Sequence, residues 1–237
     1  MRGYARIRLI FDRSIDFAFE RLSPGLAKHI IELRFQKSWA TLYKRNFDKV
    51  PEYWRKYRFL DEIEEIVRFR DSVVLDVGCG ISTFLNHIEA KEKYGVDPLA
   101  KKYKMLFKYS DDVKIEEGTG EDLPFPEESF DVVICSNVLD HTVNPSKTID
   151  EIHRVLKPEG KLVLTLEIFG CKRTKRNRAH PHAITLAKLE LLLRNFKVMF
   201  HKESPWIGYR AYIESNQNDT RRRITGNSEH ILVCAKK

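Results

Sequence analysis

Apolar residues change their rhythm near residue 72. Before it they recur at three- and four-residue spacing, as on one face of a helix. Ile15, Ala18, Phe19, Leu22 and Leu26 form one such series, which Ser23-Pro24-Gly25 breaks or restarts. Phe35, Trp39, Leu42 and Tyr43 form a second. A third opens at Pro51 and sets Tyr53, Trp54, Tyr57, Leu60, Ile63 and Val67 on one side, with Glu62, Glu64 and Glu65 elsewhere. Proline suits a first helical position because its missing N–H would have no partner there. Beyond residue 72 short β-branched runs take over. Strands are predicted at Val73–Val77, Lys93–Asp97, Val113–Glu116, Asp131–Cys135, Lys161–Leu166, Lys197–Lys202 and His230–Ala235. Helical stretches at Thr83–Ala90, Ala100–Tyr109, Pro145–Leu156 and Thr185–Arg194 separate most of them. Alternating strands and helices, with strands apolar on both faces, predict an α/β fold around a parallel sheet covered on both sides.

Composition narrows the classes. The 237 residues are 42% apolar and 32% charged, enough to bury a core without disulfide or metal staples. No apolar run reaches the length of a membrane span, and Asp12, Arg13 and Asp16 interrupt the first apolar stretch before it could serve as a signal peptide. A cytoplasmic protein is expected. Cys79, Cys135, Cys171 and Cys234 lie far apart with no zinc-type spacing, so no metal site is predicted and the thiols read as small hydrophobes. The net charge of +8 is unevenly spread. Residues 1–70 carry 16 Lys/Arg against 10 Asp/Glu, residues 71–170 carry 11 against 19, and residues 171–237 carry 15 against 5. An acidic centre lies between two basic flanks. The total alone would suggest nucleic acid, whereas this distribution equally suits a small anionic partner.

The chemistry-bearing residues fall at the carboxyl ends of the predicted strands, where open α/β sheets bind ligands. After the first comes LDVGCGIS (75–82), whose glycines allow a tight turn and close backbone approach. After the second comes Asp97, about twenty residues on, the spacing at which a carboxylate accepts both hydroxyls of a ribose. Gly118-Thr119-Gly120-Glu121-Asp122 follows the third, and Cys135-Ser136-Asn137-Val138-Leu139-Asp140-His141 the fourth. Asp76 stands just before the glycine loop. It would repel a pyrophosphate and suits a positively charged ligand, such as a sulfonium nucleoside with an α-amino group.

The block Val73–Glu167 resembles the class I S-adenosylmethionine-dependent methyltransferases of the small-molecule subgroup, the methyltransferase type 11-like proteins. The likeness lies in LDVGCG (75–80), GVDP (95–98), EDLPFPEESFDVVICSNVLDH (121–141) and IHRVLKPEGKLVLTL (152–166), with a weaker echo in HPHAIT (180–185). It implies a doubly wound, mostly parallel, Rossmann-like sheet of seven strands, the last antiparallel. Residues 71–237 would form the cofactor-binding domain, with an acceptor-side loop at about 169–184, and residues 1–70 a helical extension or lid. The cofactor would be S-adenosyl-L-methionine and the product S-adenosyl-L-homocysteine. By motif, the resemblance implies that Asp76, Gly78, Cys79 and Gly80 lie against the methionine part. Asp97 and Pro98 would lie at the ribose, Gly120, Glu121 or Asp122 at the adenine, and Ser136 and Asn137 beside the sulfonium. The chain departs from the pattern at Ser82, in place of a loop glycine, and at Glu159, in the usual Pro-Gly-Gly turn.

A sulfonium methyl group is already activated, so the protein's work is alignment and exclusion of water, with a general base where a hydroxyl is the acceptor. Asp140, His141, His180 and His182 are the candidates. The basic loop Gly170–Ala179 could bind a phosphate or carboxylate of the acceptor, and Tyr53, Trp54 and Tyr57 could line its pocket. The VLDH (138–141) and HPH (180–182) patterns look like those of glycan-cluster methyltransferases. A small-molecule methyltransferase, an RNA methyltransferase using the basic flanks, a non-catalytic cofactor-binding module and a dinucleotide oxidoreductase are the readings carried forward. The oligomeric state is left open.

Overall fold

The computed structural model of the chain describes residues 24–168, 181–204 and 228–237. Three helices come first: α1 (Pro24–Arg45), α2 (Lys49–Arg58) and α3 (Leu60–Val67). Seven strands follow, β1 (Val73–Val77), β2 (Glu92–Val96), β3 (Val113–Glu116), β4 (Phe130–Ser136), β5 (Leu156–Ile168), β6 (Phe196–Ser204) and β7 (Ser228–Lys236). Helices α4 (Ala100–Leu106), α5 (Pro145–Val155) and α6 (Leu186–Leu192) fall between them. The strands form one sheet in the order β3-β2-β1-β4-β5-β7-β6. Pairing is parallel from β3 to β5, and β7 runs antiparallel to both β5 and β6. The expected doubly wound α/β sheet with its last strand reversed is therefore the observed fold.

Alternation along the strands builds a core on each face. Val74, Val132, Ile134, Val163, Ile231 and Val233 pack with Trp39, Tyr43, Tyr53, Tyr57, Ile63 and Tyr103. Leu75, Val133, Leu162, Leu164, Leu232 and Cys234 pack with Ile149, Ile152, Val155, Leu189 and Leu192 on the other face. So α1–α4 cover one side and α5 and α6 the other. Each fully buried large apolar side chain contributes about 1.5–3 kcal/mol.

Local rules explain where the helices begin. Asn144 accepts hydrogen bonds from the N–H groups of Ser146 and Lys147 at 3.1 and 3.2 Å, and Pro145 takes the first position of α5. Thr185 caps α6 by accepting from Lys188 N–H. Three expectations need correction. The single helix predicted from Pro51 is two, α2 and α3, parted at Phe59 in a left-handed conformation (φ 54°), with Pro51 in third place rather than first. The helix predicted at Thr83–Ala90 is only a 3-10 turn at Phe84–Asn86, because Thr83 turns its hydroxyl to Asp76 while accepting from Leu85 N–H. The helix predicted to Tyr109 stops at Leu106, since Phe107 is extended and Tyr109 swings back to donate to Gly80 O at 2.7 Å. The helix predicted at Ile15–Leu22 lies outside the described residues.

Candidate functional site

At the carboxyl ends of β1 and β2 the chain turns through Gly78 (φ 68°) and Gly80 (φ 53°), both left-handed, where a side chain would strain the backbone. A Cβ at Gly78 would also stand 2.5 Å from Val138. The turn is pinned to β2 by Gly78 N–H donating to Val96 O at 2.8 Å. Asp97 accepts from Gly80 N–H at 3.1 Å and from Leu99 N–H at 2.8 Å, which fixes both carboxylate oxygens beside the loop. Asp76 accepts from the Thr83 hydroxyl at 2.7 Å. Both carboxyls are buried, and burial pushes Asp76 up to about 7 and Asp97 up to about 6. Among the described residues, no lysine or arginine offsets the cost for either.

The structure thus brings Asp76, Gly78, Cys79, Gly80, Asp97 and Pro98 together. Cys79 contributes backbone rather than its thiol, which packs against Gly95 on β2 and is pushed well up by burial. Gly120 reaches the same end of the sheet, where a Cβ would stand 2.9 Å from Thr148 and 3.3 Å from Val77. Glu121 is engaged elsewhere. Its Oε1 accepts from Val143 and Asn144 N–H at 2.6 and 3.1 Å and holds the turn before α5. Asp122 is exposed.

At the end of β4 the Ser136 hydroxyl meets the Thr165 hydroxyl at 2.9 Å, and Asn137 adopts φ 55°. Asp140 is buried, with His141 Nε2 4.0 Å from its Oδ1. His182 Nε2 lies 3.1 Å from Val143 O, so the structure joins the 182 region to the 141–143 turn. A cleft of about 300 Å3 opens there, lined by His182, Lys188 and Arg194 together with Leu191 and Val143, and by no acidic side chain among the described residues. His180, Gly170–Ala179 and Arg221–Arg223 lie outside the described residues.

Sequence reasoning missed two groups. Gln36 of α1 reaches over the glycine loop, its Oε1 accepting from Ile81 N–H at 3.4 Å, while Trp39 Nε1 donates to Ser82 Oγ at 2.9 Å. Ser82, the departure from the glycine pattern, is thereby a contact for the N-terminal helices. The second group is buried. Arg58, the last residue of α2, pairs with Glu229 of β7 at 2.6 Å and donates to Thr165 Oγ1 at 2.7 Å. Burial works to lower the Arg58 pKa, but Glu229 and Tyr53 leave it raised. Glu229 also accepts from Asn137 Nδ2 at 3.0 Å. A lone acid opening the apolar run of β7 was the only signal in the sequence. Tyr53, Trp54 and Tyr57 pack in the core, with the Arg58 guanidinium 5.0 Å from the Trp54 ring centre.

The left-handed glycine turn after β1 and the buried acid after β2 both lie within a segment that resembles a methyltransferase domain. Residues 75–164 match a family model described as a methyltransferase domain. Among curated proteins, the chain is 34% identical over 125 residues to an uncharacterized protein of Methanocaldococcus jannaschii, covering 50% of this chain and 59% of that one. It is 31% identical over 100 residues to the uncharacterized methyltransferase YcgJ of Bacillus subtilis, covering 38% and 39%. The crystal structure of YcgJ matches 75% of this chain and 97% of its own with a TM-score of 0.55 at 20% identity, a likeness of fold. A tRNA U34 carboxymethyltransferase of Campylobacter fetus is 25% identical over 130 residues, covering 52% and 46%. The chain spans about half the length of these curated relatives. No described helix is long and apolar enough to cross a membrane.

Proposed function

We propose that the chain transfers a methyl group from S-adenosyl-L-methionine to a small anionic acceptor, such as a glycan intermediate. The observation that carries this is the pair of buried, uncompensated carboxyls at the glycine turn. Asp76 and Asp97 tolerate desolvation with no described lysine or arginine beside them, an arrangement that favours a ligand bringing its own positive charge. These residues fit the cofactor, which supplies an already activated methyl group when bound.

In this reading Asp97 holds the ribose and Asp76 the turn facing the methionine part. Gly120 stands at the adenine side, packed against Thr148 and Val77, and Asp122 rather than Glu121 is free to reach the base. Ser136 and Asn137 border the sulfonium. His141 lies in the turn at 141–143 that His182 contacts through Val143 O, and either can take a proton from the acceptor. Lys188 and Arg194 supply positive charge beside that turn. Gln36 and Trp39 close the loop from above and exclude water.

Calorimetric titration with S-adenosyl-L-methionine tests the reading. The native chain binds, and Asp97→Ala weakens binding by about 100-fold or more, a loss of about 2.7 kcal/mol. Near-native affinity in the variant, or binding of NAD(H) in place of the sulfonium, sinks it. Likeness to the tRNA carboxymethyltransferase favours a second reading, an RNA acceptor. A steep fall of RNA affinity with salt, together with methylation of RNA, would select it.

A further inference from the structure

Asn137 is the exposed end of a buried chain of charges. Its Nδ2 donates to Glu229 Oε1, which Arg58 Nη2 holds at 2.6 Å, and the Arg58 and Glu229 side chains are only 4% and 1% exposed. A carboxylate can only accept hydrogen bonds, so the Asn137 amide has a single stable orientation, nitrogen inward and carbonyl oxygen outward. The backbone is fixed with it: Asn137 N–H donates to Thr165 O at 2.8 Å, and the Thr165 hydroxyl is held by Arg58. Asn137 Oδ1 has no hydrogen-bond partner among the described residues, and Asn137 is exposed at the carboxyl end of β4. Buried ion pairs contribute little net stability compared with apolar residues of the same shape, so their use here needs another reason.

We propose that Asn137 Oδ1 is the acceptor-binding group of this site, and that Arg58 and Glu229 are positioning residues that lock its orientation. This rests on the methyltransferase reading above and narrows its substrate. A fixed carbonyl oxygen receives a hydrogen-bond donor, so the methylated group is an amine of the anionic acceptor and not its carboxylate. Asn137 holds one N–H, the nitrogen lone pair takes the methyl group as the sulfonium C–S bond breaks, and the proton the nitrogen then sheds goes to His141 or His182. The N–H is oriented by Asn137.

The test uses the full chain with S-adenosyl-L-homocysteine bound. In amide-labelled protein, the side-chain NH2 of Asn137, identified by its loss in Asn137→Asp, exchanges with water about 30-fold or more slower than other exposed asparagine amides. Replacing both charges, in Arg58→Met with Glu229→Leu, avoids a stranded buried charge. It abolishes that protection while S-adenosyl-L-homocysteine affinity stays within about threefold. Labelled methyl transfer into a protein-free, nucleic-acid-free metabolite extract falls about 30-fold or more in the double variant and in Asn137→Asp. The label in the native product resists mild alkali, as N-methyl groups do. An unprotected Asn137 amide, protection that survives the double variant, an alkali-labile methyl ester, or no transfer despite cofactor binding each overturns the proposal. Failure of the native chain to bind S-adenosyl-L-homocysteine overturns the methyltransferase reading instead, with the Asn137 lock still measurable.

Discussion

Two buried sites against the same sheet handle charge in opposite ways. Beneath the glycine turn, Asp76 and Asp97 are desolvated carboxyls held by hydrogen-bond donors and, in addition, facing further acids, Asp97 for Asp76 and Glu32 for Asp97, and burial above all raises their pKa values. Across the sheet, Arg58 and Glu229 are buried just as deeply but meet each other. The Arg58–Glu229 pair is complete within the fold, whereas the two carboxyls carry a desolvation cost that a cationic ligand would offset.

The sharpest way to break this comparison is to remove one charge at each site. Arg58→Met alone strands Glu229 and lowers stability by about 3–5 kcal/mol, read from denaturant unfolding. Asp76→Asn moves stability the other way. It removes a desolvated carboxyl while keeping an oxygen for the Thr83 hydroxyl, so the cofactor-free chain gains about 1–2 kcal/mol and loses cofactor affinity. Equal signs for the two substitutions would erase the distinction.

Titration sharpens it further. In the cofactor-free fold Asp76 and Asp97 bind protons more tightly than in the unfolded chain, which holds fewer protons above about pH 4. Stability therefore falls as pH rises from about 4 to about 7, and above that window the loss from these two groups is complete. A cationic ligand favours the ionised carboxylates and reverses the shift. Cofactor binding near pH 6 then releases up to about 1.4 protons, about 0.9 from Asp76 and about 0.5 from Asp97, measured by calorimetry in buffers of different ionisation enthalpy, and affinity rises towards pH 7.5. Binding without proton release would show that the carboxyls do not face the cationic ligand.

The smallest effect lies far from both charge sites. Glu159 sits at φ 60° in the turn where the family pattern has glycine, so Glu159→Gly relieves left-handed strain and stabilises by about 1 kcal/mol, with no change in cofactor affinity.

Much of the fold was legible because its strands are buried on both faces and read as unbroken β-branched runs. Val73–Val77 and Asp131–Cys135 fall within a residue of the observed strands or on them. The helix predicted at Thr83–Ala90 failed where a polar side chain was claimed from afar: Thr83 serves Asp76 seven residues earlier. The turn at Phe59 was hidden because the apolar spacing continues through α2 and α3 while the backbone reverses sign. On the donor side, Gly78, Gly80 and Asp97 stand at spacings that local geometry imposes, so sequence alone could select them. Glu121 matched the motif, yet its carboxylate is spent on the turn before α5.

The sequence by itself determined the alternation of strand and helix, the glycine turn, the acid twenty residues beyond it and the acidic centre between basic flanks. These are local or periodic features, written by the chain's own geometry. Only the tertiary structure decided which charges are compensated. Arg58 and Glu229 are 171 positions apart and meet because β7 inserts antiparallel between β5 and β6, beneath the helix pair that carries the guanidinium. Asp76 and Asp97 have no such partner among the described residues, and whether a buried charge is paired depends on contacts that no local pattern encodes.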